Sequence, residues 1–245
     1  MPGPCLAGSG YISEFCCEAE RRARTNFAMS HVGMFPFVIG QSTLMSIDAA
    51  AKRLAPVGRR AFAELLADRR GLLDEPRYAE QVQAIVRVLV NAFRDGRKVY
   101  WFGNGGSAAD AQHLAAEFSG RFLRERKALA SEAMSTNTSA VTAIANDYGY
   151  DQVFARLVEA MAVPGDVVIG MTTSGNSPNI VNGLRAAKRL GATPVSFTGN
   201  GGGAVSEIAQ ICLVGPDGYS ALVQEVHITM GHIVCDLVEQ EIIAA

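Results

Sequence analysis

His113 and Glu117 stand four residues apart in Trp101–Glu117, which reads WFGNGGSAADAQHLAAE. In a helix that spacing puts both side chains on one face, where an imidazole and a carboxylate can work together as acid and base. A second polar set lies near the end of the chain, in Gln224–His232, QEVHITMGH. Gln224 and His232 are about two turns apart and roughly eighty degrees apart around a helix, so both can line one site. His227 points about sixty degrees to the other side of Gln224 and reads as structural. The same spacings also suit packed, hydrogen-bonded histidines and a surface pair, so spacing alone leaves both readings open. The apolar Leu114, Ala115 and Phe118 imply that the His113 helix packs on one side and turns its polar pair toward a cleft.

Two loops resemble each other. Gly103-Asn-Gly-Gly-Ser107 follows one apolar run, and Thr172-Thr-Ser-Gly-Asn-Ser177, with Pro178 next, follows another. Glycines let backbone amides approach a ligand, and a helix start with hydroxyls suits an anion without a lysine. Ser107, Ser174 and Ser177 would alternatively be plain helix caps and turn residues. Together the loops point to a phosphorylated small molecule. Neither has the GxGxxG spacing or a Walker lysine, which counts against nicotinamide and ATP enzymes.

These groups need elements to hold them. Short apolar runs at Lys98–Phe102, Asp166–Met171, Thr193–Phe197 and Ile211–Val214 read as buried strands, with Ala128–Met134 a weaker one. Helical patterns fit Arg77–Arg94, Ser107–Phe118, Thr138–Ala145, Gln152–Ala162, Pro178–Leu190 and Tyr219–Ile242, after an earlier one at Ile47–Leu66. The alternation predicts an α/β fold with a parallel sheet covered on both faces, and ligands at the carboxyl ends of its strands. The Arg77–Arg94 helix is so apolar that its second face predicts either a subunit interface or further core. Residues 1–45 mix Gly, Pro, Cys and Met without a period. They are expected to be a poorly ordered extension, or upstream sequence read from a start codon set too early, before a domain at 46–245 with N-terminal helices over 47–95.

Of 245 residues, 49% are hydrophobic and 19% charged, enough for a sizeable core. A net charge of −2 gives no footprint for nucleic acid. No apolar run is expected to reach the roughly 18 residues of a membrane span. Cysteines at 5, 16, 17, 212 and 235 show neither metal-knuckle nor disulfide-framework spacing, which fits the cytoplasm.

With these residues in place, the chain from about Ser46 to Gln240 resembles the sugar isomerase (SIS) domain family, in its branch acting on heptose phosphates. The resemblance rests on residues 102–117, AxANDY at 143–148, TSGNS at 173–177, and QExH at 224–227 followed by His232. It implies a five-stranded, doubly wound parallel sheet flanked by helices, and a homotetramer with sites between subunits. It further implies conversion of sedoheptulose 7-phosphate to D-glycero-D-manno-heptose 7-phosphate. Zinc would be held by His113, Glu117, Gln224 and His232. Phosphate would meet Ser107, Thr173, Ser174 and Ser177, beside Thr172, where relatives carry serine. The sugar would meet Asn104, Gly105, Gly106, Asn146 and Asp147, with Arg121 nearby and Glu117 and Gln224 also in reach. Glu117 is the expected carbon base and His232 the group serving the oxygens. One departure is Leu222, which stands where relatives carry arginine.

Two other readings compete: a non-catalytic SIS-fold protein that binds phosphosugars or a replication initiator as a regulator, and an isomerase of another phosphosugar. The initiator-binding kind lacks the residues at the Glu117 and His232 positions, both present here, and Leu222 keeps the other isomerase open.

Overall fold

The computed structural model describes residues 69, 71–73 and 75–244, all within the compact unit Pro56–Ala245. The expected extension over 1–45 and the helix expected over 47–66 lie outside the described residues. The first element with both ends among the described residues is helix α1 (Arg77–Arg94), followed by β1 (Val99–Gly103), α2 (Gly106–Ser119) and β2 (Ser131–Ala133). Next are α3 (Thr138–Tyr148), α4 (Val153–Met161), β3 (Val167–Thr172) and α5 (Pro178–Arg189), then β4 (Thr193–Thr198), β5 (Ile211–Val214) and α6 (Ser220–Ile243).

The five strands are all parallel, in the order β2-β1-β3-β4-β5. Val99 to Gly103 pair with Val167 to Met171, so β1 and β3 end level with each other. The chain moves outward from β1 to β2, then returns to the other side of β1. The order therefore reverses between β1 and β3, which is where open parallel sheets leave a crevice for ligands.

Strand side chains alternate between two cores. Val99, Trp101, Ile169, Met171 and Phe197 join α1, α2 and α6 on one face. Tyr100, Phe102 and Val168 join α4 and α5 on the other. The apolar stripe of α1 is covered within the chain itself: Val82, Ile85, Val86, Leu89 and Val90 are buried in the first core. β2 is a strand of three residues paired only with β1, and its brevity explains its weak sequence signal.

Helix α6 does meet the length and composition of a membrane span, with a mean hydropathy of 1.2 in its most apolar window. The run was not apparent as apolar because Gln224, His227, His232, Asp236 and Glu239 interrupt it. Its buried residues, from Val223 to Glu239, pack into the protein as a core helix.

His227 is fully buried, with Nε2 2.9 Å from the Thr198 carbonyl and Nδ1 without a partner. It is thus a core residue, as its angular position indicated. Burial pushes its pKa down to about 4, against the Thr198 bond, which pulls it up. Between pH 6.5 and about 4 the unfolded chain binds a proton there that the folded chain refuses. Stability from this residue is complete above pH 6.5 and is lost as pH falls through that window, up to roughly 3 kcal/mol. Urea unfolding at pH 7 and pH 5 is expected to show a smaller loss in His227→Gln than in the wild type.

Candidate active site

The first loop is built around a turn that admits no side chain at Gly103, where a Cβ would lie 2.6 Å from the Ser107 carbonyl. This tight return delivers α2 directly from the end of β1. The amides of Gly105 and Gly106 have no protein acceptor among the described residues, as expected at a helix start. Ser107 is buried, and its hydroxyl accepts from Gln224 Nε2 at 3.4 Å rather than capping the helix. Gln224 lies so close over Gly106 that a Cβ there would sit 2.7 Å from its amide.

In the second loop, Thr172 Oγ1 and Ser177 Oγ are 3.2 Å apart, and Ser177 makes no side-chain cap to α5. Thr173 Oγ1 lies 3.0 Å from Ser220 Oγ, tying the loop to the start of α6. Ser174 does act as a turn residue, its Oγ accepting from the Asn176 amide at 3.2 Å. Two of the three serines that could have been simple caps therefore present hydroxyls elsewhere.

The floor between the loops is a side-chain amide pair. Asn104 Nδ2 donates to Asn179 Oδ1 at 3.0 Å, and Asn179 Nδ2 donates back to Asn104 Oδ1 at 2.8 Å. Tyr150 adds a hydroxyl bond to Asn104 Oδ1 at 3.0 Å. Neither Asn179 nor Tyr150 was singled out by motif or spacing. The only hint was an asparagine directly after the helix-starting Pro178.

Helices α2 and α6 lie side by side in the same direction, as the ties 107–224, 113–232 and 122–239 show. They bring His113, Glu117 and His232 together, with one ligand atom of each within 4.8 Å of the others. His113 Nε2 is 3.1 Å from Glu117 Oε1 and 3.2 Å from His232 Nε2. One ring hydrogen cannot serve both neighbours well, whereas a cation between the three would satisfy all of them. Two imidazoles and a carboxylate are also a donor set that catalytic zinc accepts while keeping a position open. Gln224, the fourth expected ligand, has its amide at Ser107, beside the first loop. Burial raises the nearby Asp110 carboxyl above its usual value, with His113 opposing.

Other expected residues stand apart from the loops. Asn146 donates to Asp147 at 2.8 Å, and among the described residues neither bonds to either loop. Arg121 Nε is exposed and 3.7 Å from Glu125. Leu222 is half-buried beside Gly218, at the start of α6.

A family model described as the SIS domain matches residues 70–199, more than half of the chain. This chain belongs to the SIS domain family. Among SIS relatives, a phosphoheptose isomerase from Aquifex aeolicus is 52% identical over 163 residues, covering 66% of this chain and 85% of that protein. A solved structure of phosphoheptose isomerase from Neisseria gonorrhoeae superposes with a TM-score of 0.68 at 35% identity, covering 74% of this chain and 98% of that one. The corresponding enzyme from Francisella tularensis gives 0.66 at 29% identity, over 75% and 96%. The SIS sheet predicted from sequence, with the helices predicted from Arg77 onward, is thus the observed one, and these relatives share most of the described chain.

Proposed function

We infer that this chain is a phosphoheptose isomerase, interconverting sedoheptulose 7-phosphate and D-glycero-D-manno-heptose 7-phosphate for heptose biosynthesis. The observation that carries the reading is the convergence of His113 and Glu117, on the helix that leaves a phosphate-type loop, with His232 of α6. From Ser107 to His113 the helix rises about 9 Å, which is of the order of an extended seven-carbon chain carrying a terminal phosphate. Such a substrate can be held at one end by amides and hydroxyls while its other end reacts.

In the forward direction Glu117 removes a proton from C1 of the ketose, giving an enediol, and returns a proton to C2. His232 donates a proton to O2 and accepts one from O1, which leaves the aldehyde at C1. The phosphate is held by Ser107, Thr173, Ser174 and Ser177, with Thr172 behind Ser177. Asn104, Gly105 and Gly106 face the sugar at the crevice floor. Asn146, Asp147 and Arg121 complete the contacts when substrate is bound.

The metal would be held by His113, Glu117 and His232, with Gln224 of α6 turning in from its place beside Ser107. Zinc bound there would supply positive charge to stabilise negative charge developing on the substrate oxygens. A cytoplasmic homotetramer is part of the proposal. Its supports are the free thiols of Cys212 and Cys235 and the exposed apolar side chains of Leu73 and Ile233, which line a groove beside α1 and α6.

The purified protein is expected to form aldose from sedoheptulose 7-phosphate, to lose most of that activity with a strong chelator, and to regain it with added zinc. Absence of aldose formation in zinc-supplemented protein would refute the activity. Full turnover after exhaustive chelation would refute the metal alone.

A further inference from the structure

The isomerase reading uses none of the charges buried behind the catalytic groups. Glu239 is fully buried on α6, two turns beyond His232 and on nearly the same face. Its Oε2 accepts from the Leu123 amide at 2.8 Å and the Arg124 amide at 2.7 Å, and its Oε1 from the Phe122 amide at 3.1 Å. The segment so gripped places the Phe122 ring on the His232 imidazole, with centroids 5.5 Å apart and planes 23° apart.

Arg126 is the second half of the arrangement. Its side chain is 3% exposed, and Nε lies 3.1 Å from Glu239 Oε1, an ionic contact not aligned as a hydrogen bond. Nη2 donates to the Glu117 carbonyl at 2.7 Å, and Nη1 to those of Phe118 at 2.9 Å, Gly120 at 3.2 Å and Lys127 at 3.2 Å. The carbonyls of a helix's last turn have no intrahelical donors, and a cation is favourable there. The guanidinium thus holds the turn of α2 that carries Glu117.

We propose that Arg126 and Glu239 are positioning residues that fix the carbon base and its partner histidine relative to each other, a role that rests on the isomerase reading. The pair closes a circuit. From Glu239 one branch runs through Arg126 to the backbone of Glu117. The other runs through Phe122 to the ring of His232. Either side chain could rotate or shift if its branch were released, and a displacement of about 1 Å at reacting groups costs on the order of a hundredfold in rate. A lysine at 126 keeps the charge but cannot spread donors over four carbonyls.

The test uses full-length wild type, Arg126→Lys, Glu239→Gln and Phe122→Leu, each checked for cooperative unfolding. Wild-type turnover of sedoheptulose 7-phosphate tests the isomerase reading separately. Arg126→Lys and Phe122→Leu are expected to lower kcat by about 10- to 100-fold with KM changed less than about twofold. In 15N-labelled protein the ring resonances of His232 should shift in Arg126→Lys, where the Phe122 ring is still present, a readout that needs no turnover. Should Glu239→Gln not fold, Arg126→Lys decides, because it alters the proposed pair while keeping its charges. The proposal is overturned by wild-type kcat or by unmoved His232 ring resonances in folded Arg126→Lys. It is equally overturned if activity falls only in proportion to the folded fraction. If the wild type turns over no heptose phosphate, unmoved ring resonances overturn it on their own.

Discussion

Glu117→Gln should lower kcat by about a thousandfold, within the range for loss of a general base, while the protein stays folded. The substitution keeps the side chain's size, so packing around a residue whose side chain is 22% exposed changes little. What disappears is the basic oxygen. A neutral amide cannot take a proton from C1, and it is a poorer metal ligand beside His113 and His232. These two losses can be separated by measuring bound zinc. A variant that keeps its metal and its circular dichroism yet turns over at under about one part in a thousand assigns the proton transfer to Glu117. Wild-type kcat in this variant would remove Glu117 from the chemistry altogether.

Gly175→Ala is expected to dismantle the second loop. Gly175 has φ +70°, and a Cβ would collide with the Gly202 carbonyl oxygen and lie 2.8 Å from Gly203 Cα. These are backbone atoms, so no rotamer change relieves the collision. The segment they belong to is itself tied back, since the Val205 amide donates to the Gly175 carbonyl at 3.0 Å. Forcing them apart should cost about 2–3 kcal/mol of stability and raise KM by about tenfold or more, because Ser174 and Ser177 move with the loop. Gly201→Ala is the control. Its φ is +75° with nothing within 4 Å of the new carbon, so only the backbone penalty of about 1–2 kcal/mol remains. Equal KM values for the two variants would show that the collision does not reach the phosphate contacts.

Much of this was legible in the sequence, for identifiable reasons. The predicted limits of α1 coincide with the observed ones because its buried residues recur with helical period up to Gly96, which adopts φ +69°. The strands β1 and β3 were visible as unbroken apolar runs because both their faces are covered. The two loops stood out through glycines that the backbone requires. Spacing around the helix correctly put Gln224 and His232 on compatible sides, but a helical wheel carries no height. A rise of about 12 Å over eight residues leaves Gln224 level with Ser107 and His232 level with His113. Arg126 and Glu239 could not be read at all. They are 113 positions apart, and a charged residue in a loop or near a chain's end ordinarily reads as solvated. Only the packing of α2 against α6 reveals that both are inside.

The sheet's reversal between β1 and β3 also bears on how readily such a protein can change. Because α2 departs to one side of the sheet and α5 to the other, the crevice opens by divergence of the chain, outside both apolar layers. Its lining can therefore be altered without excavating either layer. Leu222, beside Gly218 at the start of α6, belongs to neither the Trp101 layer nor the Phe102 layer. Selectivity toward different phosphorylated sugars can drift on this scaffold while its thermodynamic foundation stays in place.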